Sequence, residues 1–252
     1  MTVARPPATT THPSAAKKPV GFFDSGIGGT CILNAFKRLC PGEETVYIAD
    51  SEHCPYGNRP TEEVVQLSEN NVKKLLKANC KMIVVACNTA TAAAIDYLRA
   101  KYPQIPFVGI EPAVKPAAIR SHTGVVGVLA TAGTFHGRLY NETKAKFAKH
   151  VTIIAAVADE FVAEVEKARI PGSIDIDSRR LQSAAVERIV RQKIEPLLKA
   201  GADKIVLGCT HFPHLKPVIE KVCAGLAEVI DPSDAVARQA KRVLADRGLL
   251  SK

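Results

Sequence analysis

Two short segments of this chain are near copies, and each brings a cysteine to the end of an apolar run. Lys81-Met82-Ile83-Val84-Val85-Ala86-Cys87-Asn88-Thr89 is one, and Lys204-Ile205-Val206-Leu207-Gly208-Cys209-Thr210-His211 is the other. Each reads as a buried strand that stops at the thiol, with a helix about to begin. In open α/β sheets that carboxyl edge is where ligands bind, and a helix N-terminus lowers a thiol pKa from its free value of about 8.5. Two such thiols in two similar half-domains suit a site with one acid/base group on each face of a substrate. That is the minimum apparatus for inverting a carbon centre by proton transfer.

Other groups stand near these turns in sequence. His211 follows Cys209 closely enough to assist it, while His214 reads as a surface or structural residue. Cys209, His211 and His214 have metal-like intervals, but a closed tetrahedral site wants four ligands and no further donor is evident, so no metal is assigned. A nucleophilic Cys-His hydrolase would leave the second cysteine turn unexplained. Phe23-Asp24-Ser25-Gly26-Ile27-Gly28-Gly29 is a glycine-rich turn, either a tight structural turn or an anion cradle of backbone amides. It lacks the third glycine of a dinucleotide fingerprint and the Gly-Lys-Ser/Thr of a P-loop. Asp24, at the strand end, could orient a neighbouring acid or base. Cys54-Pro55-Tyr56-Gly57 reads first as turn chemistry. Glu166 lies on an amphipathic stretch with Glu160 and Glu164, all ordinary solvated charges when taken alone.

The elements that must position these groups alternate along the chain. Strands are expected at 20–24, 45–49, 81–87, 105–109, 124–129, 151–155, 204–209 and around 229–230. Helices are expected from about 30 to 39, after Pro60, through Arg99, to about Arg120, from 134 to 150, to about 169, from 178 to 199 with a bend at Pro196, from Pro213, and from Pro232. Repeated β-α units give parallel sheets with helices on both faces. The expected fold is therefore α/β: two similar parallel-sheet lobes with the active site in the cleft between them. Residues 20–111 plus 232–252 would form the first lobe and 112–231 the second. Residues 1–19, rich in Pro, Thr and Ala, read as a dispensable disordered leader.

Composition narrows the function classes. The 252 residues are 46% hydrophobic and 23% charged, as in an ordinary globular protein. Seven cysteines without a Cys-x-x-Cys pair argue against a disulfide framework and for a reducing cytosol. The formal net charge of +9 is scattered over helices, without an RNA-binding signature or any Trp, so it reads as solvated surface and not as a nucleic-acid site. No run approaches the roughly 18 apolar residues of a membrane span, and without an apolar h-region near residue 1 no secretory signal is expected.

The constellation resembles the glutamate racemases, the cofactor-independent members of the aspartate/glutamate racemase group. The matching pieces are the 23–29 turn, Pro55-Tyr56-Gly57, Ala86-Cys87-Asn88-Thr89-Ala90, Thr131-Ala132-Gly133-Thr134 and Leu207-Gly208-Cys209-Thr210-His211-Phe212-Pro213, in the family order. Aspartate racemases tend to carry Glu at the place of His211. The resemblance implies that Cys87 and Cys209 are the acid/base thiols, with Asp24 assisting the first and His211 and Glu166 the second. It implies that Asp24, Ser25, Tyr56, Gly57, Asn88, Thr89, Thr134, Thr210 and His211 bind glutamate. It implies no pyridoxal cofactor, nucleotide or metal, a bacterial cytoplasmic setting, and a D-glutamate product feeding peptidoglycan; a homodimer stays open. Two departures stand out: Val157-Ala158 where the family shows Cys-Pro before the glutamate, and Gly137 where it often has Ser. The rival readings are an aspartate racemase, decarboxylase or cis–trans isomerase on the same scaffold, and a regulator whose basic surface binds nucleic acid or a topoisomerase.

Overall fold

The computed structural model describes residues 16–147 and 151–251. Its first sheet contains β1 (Val20–Asp24), β2 (Thr45–Ala49), β3 (Met82–Val85) and β4 (Phe107–Gly109). All pairs are parallel, and the spatial order is β2-β1-β3-β4. The second sheet repeats that plan with β5 (Val125–Ala130), β6 (Thr152–Val157), β7 (Lys204–Leu207) and β8 (Glu228–Ile230), in the order β6-β5-β7-β8. The central strands β1, β3 and β7 are buried along their length because both of their faces are covered. Side chains alternate across a strand, so Met82 and Val84 enter one core layer while Ile83 and Val85 enter the layer behind. In the second sheet Ile205 and Leu207 face one layer and Val206 the other.

The helices α1 (Thr30–Leu39), α2 (Thr61–Lys77) and α3 (Asn88–Lys101) cover the first sheet; α4 (Val114–Arg120) opens the second unit. It continues with α5 (Ala132–His136), α6 (Arg138–Phe147), α7 (Asp159–Lys167), α8 (Ser178–Leu181), α9 (Ala184–Lys199), a 3-10 turn (Phe212–Leu215) and α10 (Lys216–Cys223). The closing helix α11 (Ser233–Asp246) returns to the first sheet, where Val236, Ala237, Ala240 and Leu244 share a core with Ile32 and Phe36 of α1.

Three elements differ from expectation. The helix expected over 134–150 is two helices, broken at Gly137, whose backbone is extended; residues 148–150 lie outside the described residues. The helix expected over 178–199 breaks at Gln182–Ser183, because the Ser183 hydroxyl accepts the Val186 amide (3.3 Å) and caps a new helix. That helix then runs through Pro196 to Lys199. Of the expected leader, residues 1–15 lie outside the described residues, but residues 16–19 are held. The Ala16 carbonyl accepts Ser251 Oγ (2.8 Å) and Lys81 Nζ, and the Pro19 carbonyl accepts the Lys81 amide (2.9 Å). The expected leader is therefore ordered over residues 16–19. No helix among the described residues is long and apolar enough to cross a membrane.

Candidate active site

The strand orders fix where a ligand can sit. In each sheet the chain leaves the first central strand toward one edge and returns on the other side, giving a switch point between β1 and β3 and another between β5 and β7. The residues just past these four strands are Ser25, Cys87-Asn88-Thr89, Thr131 and Cys209-Thr210-His211. The two sheets bring these ends together: Thr210 Oγ1 donates to Asp24 Oδ2 (3.2 Å), and Thr89 Oγ1 lies 3.0 Å from Thr131 Oγ1.

Cys87 is the N-cap of α3, and its sulfur accepts the Ala90 amide at 3.4 Å. Ser25 Oγ lies 3.8 Å from it. Asp24, fully buried, ends β1 beside this thiol. Its Oδ1 accepts the Ser25 amide (2.8 Å) and its Oδ2 the Gly29 amide (2.7 Å). The glycine-rich turn thus holds a side chain of its own chain, closing its amides around Asp24. Burial raises the Asp24 carboxyl above its usual value, against the lowering pull of His211 and the two amides.

Cys209 has a hydrogen-bonded His-Glu pair behind it. His211 Nδ1 stands 3.8 Å from the Cys209 sulfur, and its Nε2 donates to Glu166 Oε1 at 2.7 Å. The same oxygen accepts the Ile27 amide (2.8 Å), which crosses from the first lobe. Burial pushes Glu166 up, but His211, the Ile27 amide and the charge of Arg169 outweigh it, leaving the carboxyl below its usual value. Glu166 is therefore no solvated charge; it is the far end of a Cys-His-Glu line. Val157-Ala158 does not prevent this, because α7 presents Glu166 from its last turn. His214 points elsewhere, with Nε2 3.1 Å from the Gly28 carbonyl oxygen, and burial lowers its pKa to about 4.

The thiols themselves correct one expectation. A helix N-terminus was expected to lower them, yet burial raises Cys87 to about 12 and holds Cys209 well above its usual value. The nearby Asp24 charge adds to both effects, and the amides of Ala90 and His211 offset only part of them. Desolvating a thiolate in a closed site outweighs one amide dipole. In the free protein Cys87 is thus a neutral thiol at pH 8. Alkylation of Cys87 by iodoacetamide, followed by mass spectrometry, should climb about tenfold per pH unit through pH 10, since only the thiolate attacks. Levelling off near pH 8.5 would show that the helix terminus wins instead.

The expected binding residues divide into two groups. Asn88 is 3% exposed, and neither Oδ1 nor Nδ2 has a hydrogen-bond partner among the described residues. Leaving such groups unpaired costs about 1–3 kcal/mol each, so this amide is built to meet something polar. Thr89, Thr131 and Thr134 form a hydroxyl chain with 3.0 Å links; Thr131 was not among the expected site residues. Gly57 contributes backbone, its carbonyl accepting the Gly133 amide across the lobes at 3.0 Å. Tyr56 is buried with its phenol donating to Asp50 Oδ2 (2.5 Å) and accepting from Asn71 Nδ2 (3.2 Å), so it shapes the loop. A cavity of about 460 Å³ opens beside Gly57 and Thr89, bounded by Arg59, Ala132, His136 and Arg138. Cys54, read as a turn residue, lies with its thiol against the Glu166 carboxylate.

Two lobes of one plan each place a thiol at the switch point of their sheet, an arrangement with a titratable group on either side. The comparisons identify its class. Residues 30–240 match the family described as Asp/Glu/Hydantoin racemase. The glutamate racemase of Herpetosiphon aurantiacus is 43% identical over 93% of this chain and 87% of its own length. A glutamate racemase isoform from Bacillus anthracis superposes with TM-score 0.79 at 30% identity, over 93% of this chain and 84% of that one. The glutamate racemase of Francisella tularensis, solved with D-glutamate, superposes with TM-score 0.78 at 26% identity, over 94% and 84%. The chain belongs to the Asp/Glu/hydantoin racemase family, and it is an amino-acid racemase.

Proposed function

We propose that this protein interconverts L- and D-glutamate by a two-thiol, two-base mechanism. The observation that carries the reading is the pairing of each thiol with its own carboxylate system: Cys87 beside Asp24, and Cys209 beside His211 and Glu166. The choice of glutamate rests on the glutamate racemases to which the chain is similar over nearly its whole length.

In this scheme the Cys87 or Cys209 thiolate takes the Cα proton from one face. The electron pair of the broken C–H bond moves into the α-carboxylate as an enediolate. The opposite thiol then gives its proton to Cα from the other face and becomes the thiolate, so charge balances. Substrate binding must supply what the free site lacks. The substrate ammonium brings a positive charge between two thiols that burial keeps neutral, and so favours one thiolate. With Nε2–H given to Glu166, His211 Nδ1 is free to accept a proton from Cys209. Asp24 serves the other thiol. The unpaired Asn88 amide and the hydroxyls of Ser25, Thr89, Thr134 and Thr210 hold the ammonium and carboxylates, and donors on the α-carboxylate stabilise the developing enediolate. Nothing in these steps requires a cofactor. In a bacterial cytoplasm the D-glutamate formed would serve peptidoglycan synthesis.

The test is circular dichroism of the purified protein with L-glutamate and no added cofactor, followed by the same assay with L-aspartate. The optical signal should decay to zero with glutamate. Aspartate should turn over at least roughly 10²-fold less efficiently, because one missing methylene leaves donors for the side-chain carboxylate unpaired. Equal kcat/KM for the two would remove the glutamate assignment, and a stable signal with both would remove the activity.

A further inference from the structure

The Cys54 loop adds a donor that the racemase chemistry does not use. We propose that Cys54, Glu166 and His211 form a site for a borderline-soft divalent cation, Zn²⁺ by class, which staples the two lobes together and shuts down the relay behind Cys209.

The donor atoms of these three residues all lie within 4.8 Å of one another. A tetrahedral zinc ion with one sulfur, one nitrogen and one oxygen ligand sets them roughly 3.3–3.8 Å apart. The tightest pair here, His211 Nε2 and Glu166 Oε1 at 2.7 Å, needs to open by about half an ångström. Gly26 backs the group: a Cβ there would fall 1.9 Å from Glu166 Oε1 and 3.1 Å from Cys54 Sγ. Cys54 and Glu166 are only partly buried and give an ion access, whereas His211 is enclosed. The cation acting on Glu166, Arg169, is engaged by Ser51 Oγ (2.9 Å) and the Ser173 carbonyl (2.7 Å). Cys209, His211 and His214 have metal-like intervals in the sequence, where no metal was assigned; His214 turns to Gly28 and does not join this group.

Charge and protons balance. Cys54 releases its thiol proton to solvent and forms the Zn–S bond, and Glu166 binds through a carboxylate oxygen. His211 gives Nε2 to the ion and carries its proton on Nδ1 instead. Zn²⁺, one thiolate and one carboxylate sum to zero, which suits a half-buried site; water completes the coordination. With a proton on Nδ1, His211 can no longer accept one from Cys209. The inhibition follows from the proposed racemase mechanism, while the ion binding stands apart from it.

The probe is Co²⁺, which reports a thiolate ligand as a near-ultraviolet charge-transfer band. Wild-type protein should bind one equivalent with that band, and Zn²⁺ should displace it. The band should vanish in Cys54→Ser and survive in Cys87→Ser and Cys209→Ser. Glu166→Gln should weaken binding by at least roughly 10–100-fold. In wild-type protein Co²⁺ should also shield Cys54 from alkylation, a readout that does not depend on any variant folding. A band that outlasts Cys54→Ser, or that disappears with Cys209→Ser, overturns the site. In the racemisation assay, Zn²⁺ should inhibit the wild type reversibly with EDTA and should spare Cys54→Ser measured against its own metal-free rate. Binding without inhibition overturns the relay-blocking half. A protein that never racemises glutamate would still show the Cys54-dependent band.

Discussion

Replacing Cys87 or Cys209 with alanine should each lower glutamate racemisation by roughly 10³-fold or more, at the upper end of what a positioned acid or base contributes. The two losses should not resemble each other in deuterium oxide. Wild-type protein should place deuterium at Cα of the inverted product from both directions. Cys209→Ala keeps Cys87 with Asp24 intact and should slowly wash the Cα proton out of D-glutamate, the enantiomer whose proton the resemblance puts on that face. Cys87→Ala keeps the Cys209–His211–Glu166 line and should do the same to L-glutamate. Neither variant should complete an inversion, because the opposite face has no proton to give. Each substitution removes a small, buried sulfur, so circular dichroism and melting should stay close to wild type. Racemisation persisting at a near wild-type rate in either variant would falsify the two-thiol scheme and call for a single-base one.

What could be read from the chain before its structure was known follows a physical division. The two cysteine turns were legible because the signal is local: an apolar run of strand length, a thiol, and a helix start all lie within nine residues. Asp24 was legible for the same reason. Glu166 was legible only through the family resemblance, because its meaning comes from contacts 45 residues away with His211 and 139 away with Ile27, and its neighbours on α7 are equally charged. Cys54 had no local signal at all, since its partners belong to the other lobe. The partners of the Tyr56 phenol were not legible either, since Asp50 and Asn71 hold it from inside the loop. The thiol pKa values were misjudged because a sequence shows the helix terminus that lowers them and hides the enclosure that raises them.

The same enclosure explains why the glycine-rich turn must be glycine. A Cβ at Gly28 would fall 2.5 Å from His211 Nδ1 and 2.7 Å from the His211 backbone amide. A Cβ at Gly26 would meet Glu166 Oε1 at 1.9 Å. The two obstacles differ in kind. Glu166 presents the far end of a flexible side chain, which can swing away at the cost of its bonds to His211 and the Ile27 amide. At Gly28 part of the obstacle is backbone, which cannot. Gly26→Ala should therefore behave like Glu166→Gln, with lower kcat and a melting temperature near wild type. Gly28→Ala should force the lobes apart at the Cys209 turn, adding the roughly 1–3 kcal/mol destabilisation typical of overpacking. It should also cost about 10²-fold or more in kcat/KM, since a displacement of about 1 Å at a reacting geometry has that effect. Gly42→Ala is the matched control: a Cβ there meets nothing within 4 Å, so activity and melting should be unchanged. The comparison requires only steady-state rates and thermal melts of five proteins: the wild type, the three alanine variants and Glu166→Gln. If Gly28→Ala racemised glutamate as well as Gly42→Ala, the close approach of the glycine turn to His211 would not be what sets this site.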